Sequence, residues 1–337
     1  MIREALTALV ERQDLSGAEM RAAMDEIMNG ECTPAQIAGF ITALRMKGET
    51  AEELSGAAAS MREHATYIDA GARTVVDTCG TGGDGMNTFN ISTTTAFVAA
   101  GAGICVAKHG NRAVSSQCGS ADVLRELGVN IEVDPLIMEE CLQENGIGFL
   151  FAPKMHPAMK HAIGPRRELG IRTIFNMLGP LTNPAGATGQ VLGVFAPQLT
   201  EMFALALREL GTRRAFIVHG MDGLDEVTCT DVTRVSELRD GKVRTYELSA
   251  ERLFGDFCEP EQLAGGDPAT NAAILRDVLD NKPGAPLQAV LLNAAAAIVA
   301  GEAADSFDEG LERARESVAS GAAREKLRIL IDATQEA

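Results

Sequence analysis

Four segments of the 337-residue sequence bring together residue types suited to holding an anion or the metal ion that accompanies it. The first is Cys79-Gly80-Thr81-Gly82-Gly83-Asp84-Gly85-Met86-Asn87-Thr88, after which Asn90-Ile91-Ser92-Thr93 opens a helical pattern. Glycines directly after a strand permit positive φ and let an anion approach successive backbone N–H groups, and a helix N-terminus adds positive potential there. The second is Lys108-His109-Gly110-Asn111-Arg112-Ala113-Val114-Ser115-Ser116, with Gly119-Ser120 behind it. It supplies charge-assisted and neutral donors for a phosphate or a ribose. The third, His219-Gly220-Met221-Asp222-Gly223-Leu224-Asp225-Glu226, ends in adjacent carboxylates. These are the hard oxygen ligands that Mg²⁺ prefers, completed by water and substrate phosphate. The fourth, His156-x-x-x-x-His161-x-x-x-x-Arg166-Arg167-Glu168, offers guanidinium forks for a carboxylate on a second substrate. Its histidines are not spaced for a metal-binding helix face and read as packing or hydrogen-bonding residues.

Taken singly, each segment also has a structural reading. A glycine-rich turn serves many loops, a polar loop can simply face water, and an adjacent Asp-Glu in an acidic chain is a solvated patch. Arg166 or Arg167 can pair with Glu168 on a helix surface. Gly80-x-Gly82-x-x-Gly85 also satisfies the dinucleotide-binding fingerprint, but its context fails. The helical pattern does not begin at the last glycine, no acidic residue occurs between Asp84 and Asp122, and the next strand ends in Lys108-His109 where a ribose-binding carboxylate is required. Position favours function: the first three segments each follow a predicted strand, and ligands of open α/β sheets bind outside the carboxyl ends of strands.

The elements that must hold these segments fall into two groups. Residues 1–72 read as short helices, with capping signatures at Ser16-x-x-Glu19, Thr33-Pro34-x-Gln36 and Thr50-x-x-Glu53. After Thr33, the residues Ile37, Phe40, Ile41 and Leu44 fall on one stripe; left uncovered by so small a unit, that stripe is a candidate dimer surface. From residue 73 to 337, β-branched runs alternate with helical periods, and strands are expected at 74–78, 104–107, 147–151, 191–195, 215–218 and 289–292. That alternation predicts an α/β domain with a central, largely parallel sheet flanked by helices. Pro180, Pro184 and nearby glycines mark 178–189 as a connector, read as a passage between the two domains.

Bulk composition narrows the partners. With 30 basic against 47 acidic residues, the net charge of -17 repels nucleic acid and anionic membrane. A phosphate site must therefore rest on backbone N–H groups, a few clustered cations and a bound metal ion. The seven cysteines are scattered and never spaced as C-x-x-C, which argues against a disulfide frame or a zinc site and fits a reducing cytoplasm. No signal-peptide pattern is expected at the N-terminus. The apolar runs near 96–107 and 289–300 are too short or too interrupted to span a bilayer, so a soluble protein is expected.

Together these segments resemble the anthranilate phosphoribosyltransferase family of tryptophan biosynthesis. The resemblance rests on Gly80-Thr81-Gly82-Gly83-Asp84, Asn90-Ile91-Ser92-Thr93, Lys108-His109-Gly110-Asn111-Arg112, Arg166 in its Arg-Arg-Glu-Leu-Gly setting, the run from Asn176 to Pro184, and Asp225-Glu226. It implies the nucleoside phosphorylase-like phosphoribosyltransferase fold: a small N-terminal helical domain, completed by part of 160–187, hinged on the large α/β domain and dimerising through the helical part. It further implies that Gly80, Gly83, Asp84, Thr88, Asn90, Ile91, Ser92, Thr93, Lys108 to Ser116 (Lys108, His109, Gly110, Asn111, Arg112, Ala113, Val114, Ser115, Ser116) and Ser120 bind 5-phosphoribosyl 1-diphosphate. Gly80, Asn111 and Arg166 would face anthranilate, and Ser92, Asp225 and Glu226 would organise Mg²⁺. No departure from the family pattern occurs at these positions. No side chain is assigned as a general acid or base. Two alternatives remain: a pyrimidine nucleoside phosphorylase-like enzyme, which needs no metal, and a non-catalytic nucleic-acid-binding relative, which would need a basic surface.

Overall fold

A computed structural model of the chain describes residues 1–71, 73–113 and 117–336. Val114, Ser115 and Ser116 of the second segment lie outside the described residues. The chain starts with α1 (Ile2–Val10), α2 (Gly17–Met28), α3 (Pro34–Lys47) and α4 (Ala51–Glu63). The last three begin where the capping signatures put them: the Ser16, Thr33 and Thr50 hydroxyls each accept from the amide three residues on, and their own amides donate in return to the side chains of Glu19, Gln36 and Glu53. The Ile37, Phe40, Ile41 and Leu44 stripe is buried within the chain itself, where α3 meets α1 and a helix at Lys160–Leu169. That stripe is therefore core and not the open surface its spacing allowed.

The sheet has seven strands: β1 (Val75–Gly80), β2 (Cys105–Gly110), β3 (Ile147–Phe151), β4 (Gly189–Gly193), β5 (Arg214–Gly220), β6 (Val232–Arg239) and β7 (Lys242–Ser249), in the order β3-β2-β1-β4-β5-β6-β7. The first five run parallel, and β6 and β7 add an antiparallel edge. Around the sheet lie α5 (Ile91–Gly101), α6 (Ser120–Glu126), α7 (Pro135–Glu140), α8 (Ala152–Met155), α9 (Lys160–Leu169), α10 (Phe175–Leu178), α11 (Leu199–Glu209), α12 (Glu251–Phe254), α13 (Pro268–Leu279), α14 (Ala285–Ala300), α15 (Phe307–Ala319) and α16 (Ala322–Gln335). Two expectations need correction. The run 289–292 is no strand but part of α14, whose Ala-rich sequence is buried on nearly every side; a short apolar run fits either element by pattern, and alanine favours the helix. The β6–β7 hairpin has no counterpart among the expected strands, because charged residues such as Arg234, Glu237 and Arg244 interrupt its apolar alternation.

Two apolar cores sandwich the sheet. One face packs α5 and α13–α16 against Val76, Val106 and Val218. The other gathers α1–α4 and α9–α11 around Cys79, Leu192, Val194, Ala215 and Ile217, so the helical part shares a core with the sheet. Arg62 ties α4 to that junction, with Nε donating to Leu181 O at 2.7 Å and Nη1 to Leu210 O at 3.3 Å. The 178–189 connector is pinned beneath β1 and β2: Asn183 Nδ2 donates to Asp77 Oδ2 at 2.8 Å and Ala107 O at 2.7 Å, and Gln190 Nε2 to Pro180 O at 2.6 Å. Among the described residues, no helix is long and apolar enough to cross a membrane.

Candidate active site

The carboxyl ends of β1, β2 and β5 converge through the acidic pair. Asp225 accepts from the Gly82 amide at 2.8 Å, Glu226 accepts from the Ser92 amide at the start of α5 at 3.1 Å, and Lys108 Nζ, from β2, donates to Thr78 O and reaches Ser92 Oγ at 3.4 Å. Close backbone approach explains two glycines. A Cβ on Gly80 would run into the Asp225 carboxylate, and one on Gly193, at the end of β4, would occupy the place of the Asp225 carbonyl. Gly83 sits at φ +74, where its carbonyl accepts from Arg172 Nη2 and a side chain would meet that guanidinium.

The electrostatics of this corner are unusual for so acidic a chain. Burial, then the Asp84 charge, then Glu226 push the Asp225 carboxyl well above its ordinary range. Burial also raises Glu226, although Lys108 pulls it back. Carboxylates crowded away from water, with one lysine beside Glu226, are a donor set that a divalent cation would neutralise. Among the described residues no group of three or more His, Cys, Asp or Glu side chains is arranged as a metal cage. A hard cation bound by two carboxylates and completed by water and substrate phosphate needs no such cage.

The remaining candidates divide between this corner and its supports. Asp84 lies by the acidic pair and accepts from the Met86 amide at 3.3 Å. Thr88 bridges to Ala264, while Asn90 donates to Cys118 O at 3.1 Å and accepts from Asn271 Nδ2 at 2.9 Å. Ile91 and Thr93 are buried in the first turn of α5, and Thr93 Oγ1 has no hydrogen-bond partner among the described residues. His109 faces inward: its ring lies 5.0 Å from that of His156 and its Nδ1 is 3.2 Å from Gly179 O, and burial holds both imidazoles neutral by lowering their pKa to about 3 and about 4. Gly110 makes room for Ser120, whose hydroxyl accepts from the Asn111 amide at 3.2 Å. The amides of Ala113 and Gly119 both donate to Asp122 at 2.9 Å, closing the loop at its base. Arg112 pairs with Glu132 at 2.7 Å over the Phe151 ring.

Arg166 stands apart from the corner. Its guanidinium stacks on Phe175 at 5.1 Å, and among the described residues it makes neither an ion pair with Glu168 nor a hydrogen bond to Gly80 or Asn111. Several positioning residues carry no strong signal in the sequence. Buried Asp77 receives the His109 amide at 3.1 Å together with Asn183, and Arg172 bridges Gly83 to the Phe195 ring at 4.6 Å. An aspartate inside an apolar strand was the one signal available for Asp77, since a buried charge needs partners.

Comparison with known proteins places this geometry in a family. Residues 72–324 match the a/b domain of a glycosyl transferase family, and residues 3–65 match the helical bundle domain of a glycosyl transferase family. The anthranilate phosphoribosyltransferase of Desulfosudis oleivorans is 58% identical over 336 residues, covering 99% of both chains. That of Syntrophobacter fumaroxidans is also 58% identical, covering 100% of both. Among solved structures, the Thermus thermophilus anthranilate phosphoribosyltransferase matches with a TM-score of 0.93 and 42% identity over 98% of this chain and 99% of that one. The Saccharomyces cerevisiae enzyme in complex with PRPP and Mg matches with a TM-score of 0.89 and 30% identity over 100% and 98% of the two chains.

Proposed function

The chain belongs to the anthranilate phosphoribosyltransferase family, and from that premise we propose how its own residues carry out the family's reaction. The enzyme transfers the phosphoribosyl group of 5-phosphoribosyl 1-diphosphate to the amine of anthranilate, giving N-(5-phosphoribosyl)anthranilate and diphosphate in L-tryptophan biosynthesis. The observation that carries the residue assignment is the double clasp of Asp225 on the Gly82 amide and Glu226 on the Ser92 amide, which gathers three strand ends at one corner.

In the reaction the amine nitrogen forms a bond to the anomeric carbon, the carbon–oxygen bond to diphosphate breaks, and the amine proton leaves to solvent. An aromatic amine is neutral at pH 7, so no side chain is required as a base. The demand falls on the leaving group. Backbone amides of the Gly80–Asp84 turn and the Lys108 ammonium stabilise its negative charge in a partly water-excluded site. Arg112 reaches it only by leaving Glu132, an exposed pair whose loss costs about 0–1 kcal/mol. The remaining residues of 108–116, with Ser120, hold the ribose and phosphates. Ser92, Asp225 and Glu226 would hold Mg²⁺, which when bound supplies positive charge against the diphosphate. Gly80, Asn111 and Arg166 receive anthranilate; Arg166, on the helix beside the connector, reads its carboxylate once the domain of 1–72 with part of 160–187 closes on 73–337.

We also propose a homodimer through the helical part, supported by Val10 and Met46, which are 69% and 70% exposed on neighbouring α1 and α3. The seven scattered cysteines, never spaced as C-x-x-C, fit a cytoplasmic setting. Mixing the protein with Mg²⁺, the donor and anthranilate should extinguish anthranilate fluorescence. Persistent fluorescence, with phosphorolysis of thymidine or uridine instead, would overturn the assignment in favour of the nucleoside phosphorylase reading.

A further inference from the structure

The loop that carries Asp225 and Glu226 continues into Cys229, and Cys229 lies against a cysteine far along the chain. Cys258 N–H donates to Cys229 O at 2.9 Å. That bond brings the two main chains into direct contact, the proximity a disulfide requires. Both sulfurs also rest on the same first turn of α14: Cys229 Sγ is 3.8 Å from Ala285 O, and Cys258 Sγ is 3.0 Å from Gln288 Oε1. The two thiols are within hydrogen-bonding reach of each other. Cys229 is fully buried, whereas Cys258 is half-buried and open to a small reagent.

The chain on either side of this pair leads into the candidate active site. Beyond Cys258, the 260–263 turn places Leu263 O to accept from Phe89 N–H at 3.1 Å, and Gly265 N–H donates to Asn87 O at 2.9 Å, so this segment backs the end of the glycine-rich loop. Before Cys229, Thr228 Oγ1 donates to Asp222 at 2.7 Å and Val227 N–H to Asn293 Oδ1 at 2.9 Å. Met86, Thr88, Asp222, Thr230 and Glu261 from the two sides line one small cavity.

We propose that Cys229 and Cys258 are a redox-modifiable pair, closed into a disulfide by an oxidised low-molecular-weight thiol, that staples the loop after Asp225 and Glu226 to the segment behind Thr88 and Phe89. The Cys258 thiolate attacks one sulfur of oxidised glutathione and releases one glutathione thiolate. The Cys229 sulfur, its proton passing to that thiolate, then displaces the second glutathione, so two protein thiols are oxidised and one disulfide is reduced. Burial and the neighbouring thiol push Cys229 up, which makes Cys258 the first to react. The consequence for the acidic pair rests on the proposed function, but the pairing itself does not.

The test equilibrates the full chain with glutathione buffers of rising oxidation, blocks free thiols under denaturing conditions and maps peptides without reduction. The expected result is a Cys229–Cys258 linked peptide with the other five cysteines alkylated, and at least tenfold slower amide exchange across 258–266 in the oxidised chain. Cys258→Ser and Cys258→Ala should each abolish the link and the slowing while leaving basal turnover unchanged. A mixed disulfide that stops at Cys258, pairing with another cysteine, or a link that leaves exchange unaltered would each overturn the proposal. The linked peptide and the exchange rates involve neither substrate, so they stand apart from a failure of the assigned activity.

Discussion

Gly193 shows how little room the candidate site leaves its own residues. Its missing Cβ is the space taken by the Asp225 carbonyl, so Gly193→Ala must push the acidic loop away from the glycine-rich turn. Overpacking of this kind costs about 1–3 kcal/mol of stability. The displaced carboxylates should lower kcat/KM by at least about 100-fold, since misplacing reacting groups by roughly 1 Å can cost that much; steady-state kinetics with denaturant unfolding separate the two effects. Replacing both Asp225 and Glu226 with Ala removes the clasp on Gly82 and Ser92 and leaves buried Lys108 without its carboxylate neighbour, so the fold should also lose stability. Mg²⁺-dependent turnover should fall by about 100-fold or more, and unchanged kinetics would refute the metal role.

At the scale of elements, the helical part is specified by its ends. Thr33 caps α3 reciprocally with Gln36, with Pro34 in the first turn, and this fixes where the Ile37, Phe40, Ile41 and Leu44 stripe begins. Thr33→Ala should cost about 1 kcal/mol, read as a lower urea midpoint at an unchanged m-value, without altering kcat because the Thr33 hydroxyl is exposed and bonds only within its own helix cap. The helix α14 behaves differently. It carries no polar stripe, so its 289–292 run fits a strand pattern as well as a helix, and the alanines around it together with burial between the sheet and α15 decide the matter. The β6–β7 edge is hidden in the sequence for the converse reason: pairing stabilises it more than its own hydrophobic pattern advertises.

At the scale of the molecule, acid should loosen the seam between β2 and the 152–182 segment. His109 and His156 are kept neutral by burial, down to about 3 and about 4, while in the unfolded chain they protonate at ordinary values. The unfolded state then binds more protons below about pH 6.5, so stability falls as pH drops, by about 1.4 kcal/mol per group per pH unit. Urea unfolding at about pH 7.5 and about pH 5.5 should differ by roughly 2–3 kcal/mol from this pair, and His156→Gln should remove about half of that difference. The sequence by itself determined which segments stand at strand ends as candidates for chemistry, because glycines after a β-branched run, clustered donors and an Asp-Glu pair are local patterns. It also determined the caps, for the same reason. Only the tertiary structure decided which groups meet: that Asp225 clasps Gly82 and Glu226 clasps Ser92, that His109 turns inward to His156, that Arg112 is held by Glu132, and that Cys229 lies against Cys258. Those partners are remote in the chain, and strand order and burial, which no local pattern encodes, bring them together.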